Sequence, residues 1–208
     1  MTSSSQLLRD RIKEEYKKCA LSAAYFLTKY CYIQHPVRGR VLFDLYDYQK
    51  NALGEFQEHD YNIVLKGRQI GISTLVAGYA LWLLLFHNDK NILVIATKQE
   101  TAKNLVTKVR FMHQNLPVWL RGEIVTDNKL SLQFTNGSQI KAVASSKDAG
   151  RSEALSLLIL DEAAFIDDAE IIWTAASSTL STGGQAILLS TPNGVGNFFH
   201  KMWQQAET

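Results

Sequence analysis

Four short runs constrain this chain more than anything else in it: Tyr61–Leu65 (YNIVL), Asn91–Ala96 (NILVIA), Leu155–Leu160 (LSLLIL) and Ala186–Ser190 (AILLS). They are apolar at nearly every position instead of alternating, and helix-forming stretches follow them at Ser73–Phe86, Gln99–Gln114, Glu170–Thr179 and Asn197–Ala206. A strand with apolar residues on both sides needs cover on both faces. Alternation of such strands with helices therefore predicts an α/β fold built on a mainly parallel sheet. In such sheets ligands bind beyond the carboxyl ends of the strands, so the residues just after each run are where chemistry is expected.

The remaining segments fit around that core. Residues 5–33 contain no Pro or Gly, and Leu7, Leu8, Ile12, Tyr16, Cys19, Ala20, Ala23 and Ala24 fall near helical spacing, which predicts one or two helices. His35-Pro36 and Gly39 break that pattern, and residues 46–57 read as a further helix. Asn136-Gly137 between Leu130–Phe134 and Gln139–Ala144 signals a hairpin. The expected organisation is a helical segment over 1–45 and a core over 46–208.

Composition removes several classes. The longest apolar run, Leu75–Phe86, is shorter than the roughly 20 residues that a membrane helix needs. The N-terminus has no apolar signal core. Cys19 and Cys31 form neither a disulfide framework nor a metal spacing, and the five histidines are scattered. A membrane protein, a secreted scaffold and a zinc site are not expected. A net charge of +2 is too near neutral to argue for nucleic-acid binding, so any such contact must be local. Lys98, Lys103, Lys108 and Arg110 make residues 97–114 basic, for which a solvated helix face is the favoured reading.

The first strand runs into Lys66-Gly67-Arg68-Gln69-Ile70-Gly71-Ile72-Ser73-Thr74 and then a helix, the frame of a phosphate cradle. Backbone N–H groups converge in such loops, and the helix dipole favours an anion. The strict pattern GxxxxGK followed by Ser or Thr fails. Gly71 and Ser73 match, but Ile72 holds the lysine position and Lys66 the first glycine position. An ordinary strand–helix turn is the alternative. The third run ends in Asp161-Glu162, about 90 residues downstream. Phosphate-loop ATPases need an Asp at a buried strand end for the Mg²⁺ shell, and a neighbouring Glu can activate water. Ser190 and Thr191 end the fourth run, where hydroxyls could touch the γ-phosphate or its attacking water, or merely leave the strand before Pro192. Upstream, Asp47-Tyr48-Gln49 offers an amide for the adenine edge and a ring to stack on the base, or else a helix start capped by Asp47.

Together these residues resemble the ATPase domain of the large terminase subunit, the DNA-packaging motor of tailed bacteriophages. The resemblance runs from Tyr46 to Trp203. It is carried by Asp47-Tyr48-Gln49, Arg68 to Gly71, Thr97-Lys98, Ala144-Ser145-Ser146, Asp161-Glu162-Ala163-Ala164-Phe165 and Ser190-Thr191-Pro192-Asn193-Gly194. It implies an additional-strand, catalytic-glutamate phosphate-loop NTPase, with ATP and Mg²⁺ as cofactors. Many members of that family carry lysine where this chain has Ile72; others place it at the loop start, and Lys66 looks like that variant.

The implied roles are backbone donors from Lys66 to Thr74, Mg²⁺ binding by Ser73 and Asp161, water activation by Glu162, and adenine recognition by Gln49 and Tyr48. Arg68 in cis and Arg151 in trans are candidates to stabilise the transferring phosphoryl group; a surface ion pair is the alternative for each. The implied partners are double-stranded DNA, further copies of the chain in a ring, the portal protein and the small terminase subunit, in the host cell cytoplasm. No Asp-rich nuclease constellation is present, so nuclease activity is not expected of these residues. The rival readings are a superfamily-2 helicase-like ATPase and an inactive nucleotide-binding assembly module.

Overall fold

A computed structural model of the chain describes residues 4–149, 154–180 and 183–207. Helices α1 (Ser4–Leu21) and α2 (Ala23–Tyr30) lead into a hairpin of β1 (Tyr32–His35) and β2 (Gly39–Leu42), followed by α3 (Asp47–Glu58). The core begins with β3 (Tyr61–Leu65), α4 (Ile72–Phe86), β4 (Asn91–Ala96) and α5 (Gln99–Gln114). It continues through β5 (Ile124–Asn128), β6 (Ser131–Phe134), β7 (Gln139–Ala144) and β8 (Leu157–Asp161), and ends with α6 (Ala169–Leu180), β9 (Gln185–Ser190) and α7 (Phe198–Ala206).

Seven strands form one sheet in the order β3-β9-β8-β4-β7-β6-β5. The pairs from β3 to β7 are parallel, and β6 and β5 add an antiparallel edge. The apolar runs divide between the two faces residue by residue, as a pleated strand requires. Ile92, Val94, Leu157, Ile159, Ile187 and Leu189 pack on the side of α4 and α5. Leu93, Ile95, Leu158, Leu160, Ala186 and Leu188 pack on the side of α6 and α7.

Helix α4 is buried around most of its circumference, because α1, α2, α3 and α5 enclose the side that the sheet does not. Trp82 Nε1 donates to the Cys19 carbonyl at 2.8 Å, and Tyr79 OH donates to the Phe56 carbonyl at 2.9 Å. Gly78 lets α2 approach: a Cβ there would lie 2.6 Å from Leu27 Cδ2. Truncating Leu75 or Leu84, both fully buried, would cost about 2–5 kcal/mol. The N-terminal helices thus share one core with the sheet and fix the helix that follows the phosphate loop.

Two elements differ from the sequence reading. Pro36 and Gly39 do not only stop the N-terminal helices; they shape the turn of the β1–β2 hairpin. There the backbone N–H groups of Val37 and Arg38 donate to His35 Nδ1 at 3.2 and 3.1 Å. Strand β5 carried no apolar signal because it is an exposed edge, held by pairing with β6 and not by burial.

Candidate active site

The loop after β3 starts from a fixed point. Lys66 N–H donates to the Ser190 carbonyl at 2.9 Å, continuing the β3–β9 ladder by one residue. Gln69 and Gly71 both adopt left-handed backbone, with φ of 62° and 79°. Gly71 is also the residue before α4, and a Cβ on it would sit 2.7 Å from Gln49 Nε2, so this position needs glycine twice over. Gln49 is buried, with its amide engaged at both ends: Oε1 accepts from Tyr46 N–H at 3.1 Å and Nε2 donates to the Ile70 carbonyl at 3.3 Å. It braces the loop and also lines the cavity beside it, with one further N–H on Nε2 and one lone pair on Oε1 beyond these two bonds. Tyr48 OH donates to the same carbonyl at 2.5 Å, and its ring stacks on Tyr46 at 5.6 Å, leaving two exposed aromatic faces beside the loop.

Across the sheet, β8 ends on Asp161, and Glu162 follows in left-handed backbone with φ of 55°. A glutamate held there stores about 1–3 kcal/mol of strain, which persists only where its surroundings over-determine it. They do so here. Glu162 Oε2 accepts from Thr191 N–H at 3.4 Å and Thr191 Oγ1 at 3.2 Å, while Oε1 lies 2.9 Å from Lys66 Nζ. Burial pushes the Glu162 carboxyl up, but Lys66 and then Thr191 outweigh it and hold the group below the ordinary carboxylate range. Lys66 Nζ also lies 3.3 Å from Asp161 Oδ1 and donates to Ser73 Oγ at 3.3 Å. Asp161 Oδ1 accepts Glu162 N–H at 3.0 Å, and Oδ2 stands 3.5 Å from Ser73 Oγ.

Lys66, Ser73, Asp161, Glu162 and Thr191 are thus brought together from β3, α4, β8 and β9. A carboxylate and a hydroxyl at 3.5 Å are hard oxygen donors that fit an octahedral Mg²⁺. Among the described residues no group of three or more His, Cys, Asp or Glu converges to hold a metal alone. Nucleotide oxygens and water would complete the shell.

The cluster opens into a cavity of about 1230 Å³ lined by residues 66–74, Lys108, Phe165 and, opposite, Pro36, Arg38 and Tyr46. Arg68 lines it and is exposed. Ser190 does not: its side chain is fully buried and its hydroxyl accepts from Ala164 N–H at 3.1 Å, which fixes the turn after Glu162. Thr191 alone of the two hydroxyl residues faces the cavity. Arg151 lies outside the described residues.

Sequence reasoning missed the hairpin wall, whose residues carry no motif. It also misplaced Lys108, which lines the cavity instead of a solvated face. The spacing held that signal, since Lys108 occupies a slot in the buried Leu105, Val109 and Met112 stripe. Burial pushes the Lys108 ammonium below its ordinary range, with Asp161 opposing and Lys66 adding to that shift.

Three solved structures share the fold. The large terminase of bacteriophage HK97 superposes with a TM-score of 0.71 and 18% identity, covering 90% of this chain and 40% of that one. The large terminase ATPase domain of Thermus phage P74-26 gives 0.58 at 24% identity, covering 76% of this chain and 69% of that one. The large terminase of a thermophilic bacteriophage, solved in complex with ATP-gamma-S, gives 0.60 at 15% identity, covering 78% of this chain and 42% of that one. Likeness at such identities establishes the fold. The family is established by sequence: the profile described as terminase large subunit, T4likevirus-type, N-terminal, matches residues 63–207. That match takes in the phosphate loop, the Asp161-Glu162 strand end and the turn after Thr191, and the chain belongs to this terminase large-subunit family.

Proposed function

We propose that the chain is the ATPase motor segment of a large terminase, hydrolysing ATP with Mg²⁺ to drive double-stranded DNA into a procapsid. The observation that supports this most directly is the Lys66 ammonium held 2.9 Å from Glu162 and 3.3 Å from Asp161, with Ser73 beside it. These are the groups that phosphoryl transfer needs: a mobile cation, an ionised carboxylate for water, and two oxygens for a metal.

Ser73 and Asp161 would hold Mg²⁺, which when bound supplies charge neutralisation to the β- and γ-phosphates. Lys66 would exchange carboxylate oxygens for phosphate oxygens on nucleotide arrival, an exchange that its flexible stem and undirected ammonium permit. Glu162, released from Lys66 but still gripped by Thr191, would orient the attacking water and accept its proton. Backbone donors of residues 66–74 would cradle the phosphates, and Tyr46 and Tyr48 offer the stacking surface for the base. Residues 46–208 would carry the catalytic core, with 1–45 bracing α4 and walling the cavity through the hairpin. Arg68 in cis and Arg151 in trans are the proposed transition-state arginines. Double-stranded DNA, a ring of identical subunits, the portal protein and the small terminase subunit are the proposed partners, met in the host cell cytoplasm. Among the described residues no helix is long and apolar enough to cross a membrane.

The Asp161-Glu162 strand end is followed by Ala163-Ala164-Phe165 and not by the box of a superfamily-2 helicase, and the family match favours the motor. Steady-state ATPase turnover with and without Mg²⁺, repeated at high protein concentration, tests the reading. Wild-type protein turns over ATP only with Mg²⁺, and Glu162→Gln binds ATP but loses hydrolysis by roughly 10²–10⁴-fold. Near-normal turnover in that variant would remove Glu162 from the role, and an inert wild-type protein would leave the assembly-module reading standing.

A further inference from the structure

Helix α5 carries a lysine for which the phosphate loop gives no reason. Leu105, Val109 and Met112 form its buried stripe, and Lys108 stands in the same stripe, half-buried. It lines the nucleotide cavity, and it also walls an adjoining recess of about 420 Å³ between α5 and the β1–β2 hairpin, together with Thr74 and Phe111. Among the described residues it has no carboxylate or hydrogen-bond partner. Its neighbours on the helix differ: Lys103 is bound to Glu100 at 3.0 Å, and Arg110 to Asp127 at 2.7 Å.

An ammonium drawn partly out of water without an ion-paired carboxylate is costly, and a cleft that keeps one is poised for an anion. Lys66 faces both Asp161 and Glu162, which leaves the three groups net negative. A triphosphate entering beside them therefore needs further cations, and among those lining the cavity Arg68 is exposed on the loop whereas Lys108 is half-buried on α5. The charges that bear on Lys108 are Asp161 and Lys66, the groups at the metal end of the cavity and not at its aromatic end. Ser73 and Asp161, which would hold the metal, mark the end of the cavity where the transferring phosphoryl group would lie, so a cation facing that end would meet the terminal phosphate.

We propose that Lys108 is a phosphate-binding residue that engages the γ-phosphate of ATP from α5 and makes the site discriminate ATP from ADP. The inference rests on the ATPase reading above and adds to it a cation supplied by α5 and not by the phosphate loop.

Calorimetric titration of wild type, Lys108→Met and Lys108→Arg with AMP-PNP and with ADP, both with Mg²⁺, tests it. Met keeps the unbranched stem that packs in the stripe and removes the charge. Lys108→Met should weaken AMP-PNP binding roughly tenfold, worth about 1.4 kcal/mol, and leave ADP binding within about twofold. Lys108→Arg should restore part of the difference. Equal losses for both nucleotides, or no loss for either, would overturn the proposal. So would Lys108→Arg behaving like Lys108→Met, because a retained cation should still meet the phosphate. Wild-type protein that binds neither nucleotide would overturn the ATPase reading and this inference with it, whereas wild-type binding with an unaltered AMP-PNP to ADP ratio in Lys108→Met would overturn this inference alone.

Discussion

Replacing Lys66 by methionine removes the cation between two carboxylates while keeping a stem of similar reach. The Lys66 side chain is 10% exposed, Asp161 8% and Glu162 29%, so the substitution leaves two carboxylates facing each other in a largely dry site. Breaking a buried pair by deleting one partner costs about 3–5 kcal/mol. Glu162 keeps some contact with water, which favours the lower end, about 3 kcal/mol. For a chain of this size each kcal/mol moves the midpoint by about 2–4 °C, so Lys66→Met should melt roughly 6–12 °C below wild type near neutral pH.

The pH dependence gives the sharper test. In wild type the Glu162 carboxyl is held below its ordinary range, so its contribution to stability is full above the unfolded pKa and fades as pH falls through the lower, folded value. Without Lys66 the sign reverses. Two carboxylates sharing a site raise the pKa of one, and the strain is relieved as pH falls towards that raised value. The melting difference between wild type and Lys66→Met should therefore shrink between about pH 8 and pH 5, and Lys66→Met/Glu162→Gln should recover most of it at either pH. Thermal unfolding followed by circular dichroism measures all of this, and ATP turnover on the same samples should be abolished in both variants. A midpoint for Lys66→Met within about 2 °C of wild type near pH 8 would show that the pair carries no net stabilisation. Wild-type turnover in Lys66→Met would refute the relocated lysine, and the cation would have to come from Arg68 or another subunit.

Gly71→Ala should cost about 1–3 kcal/mol and weaken nucleotide binding, because φ of 79° and a Cβ 2.7 Å from Gln49 Nε2 both oppose it; unaltered affinity by calorimetry would mean that the loop tolerates reshaping. Mixing Arg151→Ala with Glu162→Ala protein should restore part of the ATPase activity if Arg151 works across a subunit interface, since one interface type would then be intact. No recovery with assembly confirmed by light scattering would count against the trans role.

What the sequence made legible follows from burial. The strands β4, β8 and β9 are apolar at nearly every position because they are covered on both faces, and composition alone can reveal that; the edge strand β3 shares the pattern while only half-buried. The hairpin β1–β2 and the edge strand β5 escaped because their pairing is carried by backbone hydrogen bonds, which any exposed side chain allows. Within the site, the residue types at strand ends were readable, but their partners were not. Gln49 reads as a ligand for a base, and the structure adds its brace on Tyr46 and Ile70; Ser190 reads as a phosphate contact, and its buried hydroxyl holds Ala164. Each has a partner more than 20 residues away in sequence, Ile70 for Gln49 and Ala164 for Ser190. The left-handed backbone of Glu162 is likewise invisible in the letters Asp-Glu-Ala-Ala.

Position 72 shows how the unusual loop is workable. Ile72 is 3% exposed and belongs to the core cluster with Leu75 and Val76, so the first residue of α4 serves packing and leaves no charge for the loop's carboxyl end. Lys66 supplies it from the other end. That end is anchored: the Lys66 backbone is bound to the Ser190 carbonyl at 2.9 Å, and its ammonium reaches Asp161 and Glu162 on the neighbouring part of the same sheet. The stretch between carries Gln69 and Gly71 in left-handed backbone and is exposed over residues 67–70. Rooted at the end of the sheet, the cation would keep its register against the two carboxylates if, on the proposed function, the loop closed around a phosphate chain, since the strand ladder sets its origin.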